Sequence, residues 1–332
     1  MAGTDFDKLF SSFSNIKVGV IGDVMLDTYW WGKVDRISPE APVPVVAVTN
    51  REQRIGGAGN VALNVVAIGA KVSVISILGK DGDGEQVISL LKENNIDTTY
   101  ILKSARRITT NKIRIISRNQ HMMRLDAEIT HMLDEKDESA LLTSFENYIR
   151  EEKPDIIILE DYNKGVLTTT VIEKIIGLCK QYNILTAVDP KRKNFFSYKG
   201  ADIFKPNLHE AKEGLNIISD EVTDSLLHEI HRSLSEKLSH NISFITLSEK
   251  GIFYETAGEH KIIPTHIRSI ADVSGAGDTV IAVSSVVYAA TKDVHLMAEM
   301  ANIAGGLVCE EVGTVAINKN KLLAECKVLL NK

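Results

Sequence analysis

The feature that most constrains this chain is an alternation of short apolar runs with stretches of helical spacing. Residues 16–24, 71–78, 155–159, 184–188 and 242–247 are runs of strand length, rich in Ile, Val and Leu. Between them, residues 58–68, 84–94, 136–151, 168–181 and 220–238 space their apolar positions as a helix does, and a further long helix starts near Ala276. Parallel strands need crossover connections, which helices supply while covering both faces of the sheet. The pattern predicts an α/β fold built on a mostly parallel central sheet. No repeat or low-complexity linker interrupts it, so 1–332 is expected to form one domain.

Two stretches break the alternation. Residues 43–48 are β-rich but contain Pro44 and follow Pro42, which suits an edge strand, and residues 106–125 stay strand-like with no helix. Both predict a small inserted β-sheet, drawn from segments near 28–55 and 98–126, that lies as a lid over a site. In the second segment the two-residue period places Lys112, Arg114, Ile116 and Arg118 on one face. Such a row of cations can grip an anionic group or can be a solvated edge whose charges discourage aggregation.

Charge and cysteine usage exclude several classes. With Lys plus Arg at 38 and Asp plus Glu at 44, the net charge is −6, so no global basic field favours nucleic acid or an anionic membrane. No run reaches the roughly 18–20 apolar residues of a membrane span. Cys179, Cys309 and Cys326 are scattered without a Cys-x-x-Cys pair, which points to a reducing cytoplasm. The nine histidines are dispersed, and the 228–231 stretch lacks the spacing of a zincin helix, so no structural metal is expected.

The chemistry concentrates in glycine turns. Asp272-Val273-Ser274-Gly275-Ala276-Gly277-Asp278 precedes an apolar helical run. Its glycines let backbone N–H groups converge at a helix N-terminus, where negative charge is favoured, and Asp278 in the first turn is placed as a general base. The same residues also read as a plain helix cap. A second cluster, Gly56-Gly57-Ala58-Gly59-Asn60, either admits a ligand to the backbone or is an ordinary loop. It does not follow G-x-G-x-x-G, and no Walker loop is present. Asn207 and Glu210, three apart at a helix start, read as a capping box or as a site pair.

These pieces occur in one order, and together the chain resembles the ribokinase-like (PfkB-type) carbohydrate kinases over essentially its whole length. Gly56 to Asn60 is similar to that family's N-terminal signature, Asp272 to Asp278 to its C-terminal signature, and Asn207-x-x-Glu210 to its magnesium-and-phosphate motif. A narrower resemblance, to the kinase half of bacterial bifunctional heptose kinase/adenylyltransferases, rests on four segments. They are 22–27, the run from Arg36 to Val45, 117–120 with Arg124-Leu125-Asp126, and Asp189-Pro190-Lys191.

The resemblance implies a three-layer α/β/α fold and ATP-dependent phosphorylation of D-glycero-D-manno-heptose 7-phosphate at its anomeric hydroxyl, on the route to ADP-heptose and lipopolysaccharide core. It implies Asp278 as base, with Gly275, Ala276, Gly277 and the Ser274 amide cradling the transferred group. Asp23, Asp27, Gly56, Gly57 and Asn60 would hold the sugar, and Arg118, Arg124, Lys112, Arg114 and Lys164 are candidates for its phosphate. Asn207 and Glu210 would organise Mg2+ through water, and Lys191 would contact ATP phosphates. Thr246, Ser248, Gly251 and Asn302 would line the adenine pocket. The bifunctional proteins carry an H-x-G-H nucleotidylyltransferase motif that this sequence lacks, so a separate adenylyltransferase and phosphatase are expected partners, and edge strands suggest a homodimer. A kinase for another sugar, or a non-catalytic sugar or nucleotide sensor, are the competing readings.

Overall fold

The computed structural model describes residues 4–118, 120–219, 221–266 and 268–330. Nine strands form the main sheet: β1 (Lys17–Gly22), β4 (Lys71–Gly79), β5 (Ile101–Ser104), β8 (Ile156–Glu160), β9 (Leu185–Asp189), β10 (Ile203–Phe204), β11 (Ile242–Thr246), β12 (Ile252–Glu255) and β13 (His260–Ile263). The spatial order is β13-β12-β11-β10-β9-β8-β1-β4-β5. All neighbours are parallel except the β11-β12-β13 meander, which the sequence reading missed. A second sheet, ordered β3-β2-β6-β7, consists of β2 (Val24–Ile37), β3 (Pro44–Gly57), β6 (Thr110–Ser117) and β7 (Gln120–Ala127).

Helices cover both faces of the main sheet, as strands apolar on both sides require. On one face lie α1 (Phe6–Ser12), α2 (Ala58–Ala67), α3 (Gly82–Glu93), α8 (Ala276–Thr291), α9 (Val294–Val308) and α10 (Lys319–Leu330), packed with Val18, Val20, Val74 and Ile158 of the strands. On the other lie α4 (Glu135–Glu152), α5 (Thr169–Tyr182), α6 (Leu208–Leu215) and α7 (Asp224–Leu238), around Ile21, Ile157, Leu159 and Phe253. The alternating pattern of the sequence thus becomes three layers.

Several boundaries differ from expectation, each for a local reason. The helix expected from 220 begins at Asp224, because the Thr223 hydroxyl caps it by accepting from Leu226 N at 3.2 Å. The long helix expected from Ala276 is present as α8, ends where Lys292 turns left-handed (φ 57°), and is followed by α9, which Asp293 caps. Of the lid segment read near 98–126, residues 101–104 belong to the main sheet beside β4 instead. The edge position of 44–57 agrees with its prolines.

The second sheet grows directly out of the first. β1 ends at Gly22, Asp23 turns the chain, and β2 begins at Val24, paired with Gly57 at the end of β3. Gly57 adopts φ 60°, and a Cβ there would lie 2.3 Å from the Asp23 carbonyl oxygen, so both sterics and space require glycine. Next to this root, the fully buried Asn64 of α2 donates to Asn60 O at 2.9 Å and accepts from Thr279 Oγ1 and Ile317 N at 3.0 and 2.9 Å. This polar knot fixes α2 against α8, the two helices whose N-termini carry Asn60 and Asp278.

Candidate active site

Ligands of open α/β sheets sit beyond the carboxyl ends of the parallel strands, and here that edge gathers an unusual density of charge. β1 delivers Asp23, β8 delivers Glu160 followed by Asp161 and Tyr162, β9 delivers Asp189, and β10 leads into Lys205. α2 and α8 add Asn60 and Asp278 from their first turns.

Asp278 is held from both sides. Asn60 Nδ2 donates to its Oδ2 and the Tyr162 hydroxyl to its Oδ1, each at 2.7 Å. Burial pushes this carboxyl up to about 6, while the two donors oppose the rise. Burial and the neighbouring Asp278 carboxylate push the Tyr162 hydroxyl well above its usual range, so it remains a donor. Asn60 Oδ1 is buried and accepts from no group among the described residues, an acceptor turned into the site.

Beside Asp278 lies a buried ionic cluster. Asp189 meets Lys205 Nζ at 2.8 Å and Lys191 Nζ at 3.5 Å, and Lys191 reaches Glu210 Oε1 at 2.6 Å. Burial would raise the Asp189 carboxyl, but the two ammonium groups outweigh it and hold it below its ordinary value. Glu160 is different. It is fully buried, and neither of its oxygens has a hydrogen-bond partner among the described residues. Burial and the adjacent Asp189 and Asp278 drive its carboxyl far upward.

Oxygens of Glu160, Asp189 and Asp278 lie within 4.8 Å of one another. Three hard oxygen donors around an orphaned buried carboxylate fit a magnesium ion. The residues expected to organise that ion are engaged elsewhere. Asn207 Oδ1 accepts from Glu210 N and Glu210 Oε2 from Asn207 N, both at 2.8 Å, so the pair forms the capping box at the start of α6, with Glu210 also tied to Lys191.

The glycine turn before α8 is formed largely as expected. Gly275 caps the helix with φ 80°, and a Cβ there would lie 2.9 Å from Asn60 Nδ2. The N–H groups of Gly275 and Gly277 have no acceptor among the described residues. Ser274 N, however, donates to Asp272 Oδ1 at 2.9 Å, and Ala276 N to Val273 O at 3.3 Å. The amide cradle is therefore narrower than the sequence suggested.

Other expected residues make contacts of their own within the protein. The Asp23 carboxylate accepts from Tyr162 N, Lys164 N and Val166 N at 2.9, 3.0 and 3.1 Å, so it shapes a loop and has little left for a sugar. Asp27 is buried, ion-paired to Arg114, and packed so closely over Gly56 that a Cβ there would lie 2.4 Å from Asp27 Oδ2. Asn302 Nδ2 donates to Pro264 O at 2.8 Å, which ties α9 to the chain after β13. Thr246 ends β11, and Ser248 and Gly251 form the turn that follows, at the same edge of the sheet.

The cationic face is split. Lys112, beside Asp27, lies 5.8 Å from the Tyr162 ring centre, and Lys191 lies 5.7 Å from the same ring. Lys164 pairs with Glu128 at 2.7 Å. Exposed Arg124 stands opposite Arg114 and pairs with Asp126 at 2.8 Å. Arg118 leaves the row because β6 ends at Ser117 and Arg118, in the turn to β7, adopts a left-handed φ of 49°. Six strand residues past Lys112, it sits roughly 20 Å further out. Asn119, next to it in the resemblance, lies outside the described residues. Sequence reasoning missed Glu160, Tyr162 and Lys205 as site residues, and also Arg107, which is buried and donates to His131 O and Lys164 O behind the Asp23 loop.

With this geometry in place, the likenesses to known proteins become specific. Residues 15–321 match the family described as pfkB family carbohydrate kinase, and the chain belongs to that family. It is 36% identical over 325 residues to the bifunctional protein HldE of Syntrophotalea carbinolica, covering 97% of this chain but 65% of that protein. Phosphofructokinase-2 of Escherichia coli superposes with a TM-score of 0.78 at 16% identity, over 93% of this chain and 99% of its own. Ribokinase of Arabidopsis thaliana, solved with ribose and ATP, does so at 0.70 and 15% identity, over 93% and 98%. The fold is ribokinase-like, and the protein is a carbohydrate kinase.

The raised Asp278 carboxyl carries a stability consequence. A folded-state value of about 6 against an ordinary 3.8 means that ionising this group opposes folding, fully so above about pH 6. Asp278→Asn should therefore raise unfolding free energy at pH 8 by on the order of 2–3 kcal/mol, a gain that shrinks as pH falls towards 4. Urea melts at pH 8 and pH 4.5 check this; a destabilised variant at pH 8 would show that the carboxylate is welcome where it sits.

Proposed function

We propose that the chain transfers the γ-phosphoryl group of ATP to the anomeric hydroxyl of D-glycero-D-manno-heptose 7-phosphate, giving the 1,7-bisphosphate and ADP. The observation that carries the reading is the seat of Asp278: a buried carboxylate at a helix N-terminus, aimed by Asn60 and Tyr162, with a proton affinity raised towards neutrality. Asp278 takes the hydroxyl proton as the sugar oxygen attacks the γ-phosphorus, and the bond to the bridging oxygen of ADP breaks. The Gly275 and Gly277 N–H groups face the transferred oxygens, and Lys191 and Lys205 add positive charge beside them. Glu160 and Asp189 would hold magnesium, which when bound neutralises phosphate charge, and Asp278 beside them is left to act as the base. Thr246, Ser248 and Gly251 are proposed to border the adenine.

The sugar identity rests on the resemblance to the heptose kinase half and on relatives 36–40% identical that bear the name bifunctional protein HldE. On the route to ADP-heptose the product passes to a phosphatase and an adenylyltransferase. The phosphate at C7 is assigned to Lys112, with Arg114, Arg124 and Lys164 around it. Burial and the neighbouring Lys164 ammonium push Lys112 below its ordinary value, and no carboxylate lies within salt-bridge distance among the described residues. An ammonium held close to other cations with no carboxylate of its own favours a dianion.

We also propose a homodimer formed through the four-stranded sheet. That sheet exposes Ile37, Val48, Met122, Met123 and Leu125, more apolar surface than a lone edge usually presents. No helix among the described residues is long and apolar enough to cross a membrane.

Three measurements test these assignments. In a coupled ADP-release assay across phosphorylated and unphosphorylated heptoses, ribose and fructose 6-phosphate, heptose 7-phosphate should give the highest kcat/KM. There, Asp278→Asn should lower kcat by at least ~100-fold with ATP affinity retained, and wild-type turnover should fall below about pH 6. Near-normal turnover in the variant removes the base, and a better substrate in the panel removes the sugar. Lys112→Ala should raise KM for the phosphorylated sugar by about 10–100-fold while leaving that for ATP nearly unchanged; equal effects on both count against the phosphate assignment. Sedimentation velocity should show a dimer that Met123→Glu splits, and a monomeric wild type would exclude the pairing.

A further inference from the structure

Far from the carboxylate cluster, at the opposite end of the main sheet, histidines and acids from three elements converge. Asp224 and His228 are four residues apart on α7 and so share one face of that helix. Glu255 and His260 are directly opposed across the β12-β13 ladder and so point to one side of the sheet. α7 packs on that side, and ligand atoms of Asp224, His228 and His260 all lie within 4.8 Å of one another. β12 runs antiparallel to β11, with Glu255 beside Ser243 near the start of that strand and Ile252 beside Thr246 at its active-site end. The cluster is thus a full strand length from the catalytic edge.

The contacts have the form of a metal centre. His228 Nδ1 bonds Glu255 Oε2 at 2.8 Å, which fixes the ring and leaves Nε2 facing Asp224. A carboxylate behind the far nitrogen is the usual support of a metal-bound histidine. His228 Nε2 and Asp224 Oδ2 are 3.4 Å apart. That is long for a hydrogen bond, but two donors each about 2.0–2.1 Å from a tetrahedral ion lie about 3.3 Å apart. The His260 ring stands at 79° to His228 with centroids 4.1 Å apart, and its nitrogens have no hydrogen-bond partner among the described residues. An open groove lined by Ser225, His228, Glu229, His231, Arg232 and Glu255 gives an ion access.

We propose that Asp224, His228 and His260 bind a first-row divalent ion of the zinc type, with Glu255 as the outer support and water completing the shell. Two imidazoles and a carboxylate suit Zn2+ and not Mg2+, so this site is chemically separate from the one that serves phosphoryl transfer. Its place between α7 and the β12-β13 hairpin makes it a clamp on the last strands of the sheet.

The test uses the full chain with any polyhistidine tag removed. Competition with a chromophoric chelator should show one Zn2+ bound per chain, unaffected by millimolar Mg2+, and Co2+ should give the visible absorption of a tetrahedral site. His260→Asn, an exposed change that leaves the core intact, should weaken Zn2+ binding by at least ~100-fold, and Glu255→Gln by about 10–100-fold. Asp278→Asn should leave it unchanged. Binding that survives His260→Asn places the ion elsewhere, for instance on Cys309, and overturns the assignment. A wild type that takes up no Zn2+ at micromolar concentration does the same, reducing the cluster to ordinary ion pairs around His228.

Discussion

The arrangement depends first on the carboxylate of Asp23. At the point where the chain leaves the central sheet to build the second one, it accepts three backbone N–H bonds from the loop after β8. A buried carboxylate so surrounded is costly to desolvate and costly to leave unpaired, so the loop from Tyr162 to Val166 has one favourable position. That position brings the Tyr162 hydroxyl to Asp278. It also sets the Tyr162 ring between Lys112 of the second sheet and Lys191 of the first. One acidic side chain thus joins the root of the second sheet, the positioning of Asp278 and the two cationic walls.

Environment separates the acids that crowd beyond it. Asp189, flanked by two ammonium groups, is kept charged. Asp278, held by two neutral donors, is poised near neutrality. Glu160, with no donor at all, has its carboxyl driven far upward by burial and its acidic neighbours. A kinase gains from this graded set, since one member has to accept a proton while others manage positive charge. The same crowding costs stability, in keeping with strain concentrated where chemistry occurs.

Much of this was legible in the sequence where the physics is local. The alternation of apolar strands and helices gave the layers, and the two glycine turns gave Asp278 and Asn60, because a helix start is specified by adjacent residues. What depends on distant pairing was less visible. Glu160 and Lys205 are ordinary neighbours of strand ends until the sheet order brings those ends side by side; a charged residue just past each apolar run was the available signal. Arg118 was misplaced because a strict two-residue period runs on past Ser117, where β6 ends and the chain turns left-handed. Asn207 and Glu210 show the reverse, a family motif whose side chains in this structure make the cap that their spacing alone describes. The histidine cluster escaped notice because half of it lies across a hairpin that the apolar pattern does not announce.

β2 runs unbroken for 14 residues from its root at Val24, roughly 40 Å if extended. A beam that long, anchored at one end beside the phosphoryl-transfer centre, converts small rotations into large travel. A pivot of about 5° at Asp23 and Gly57 carries the outer end through roughly 3–4 Å by simple geometry. Movement of the second sheet against the first therefore needs no unfolding and no flexible hinge loop, only a slight change of angle between two intact sheets. Whatever grips the outer end of the beam gains leverage over the reaction at its base.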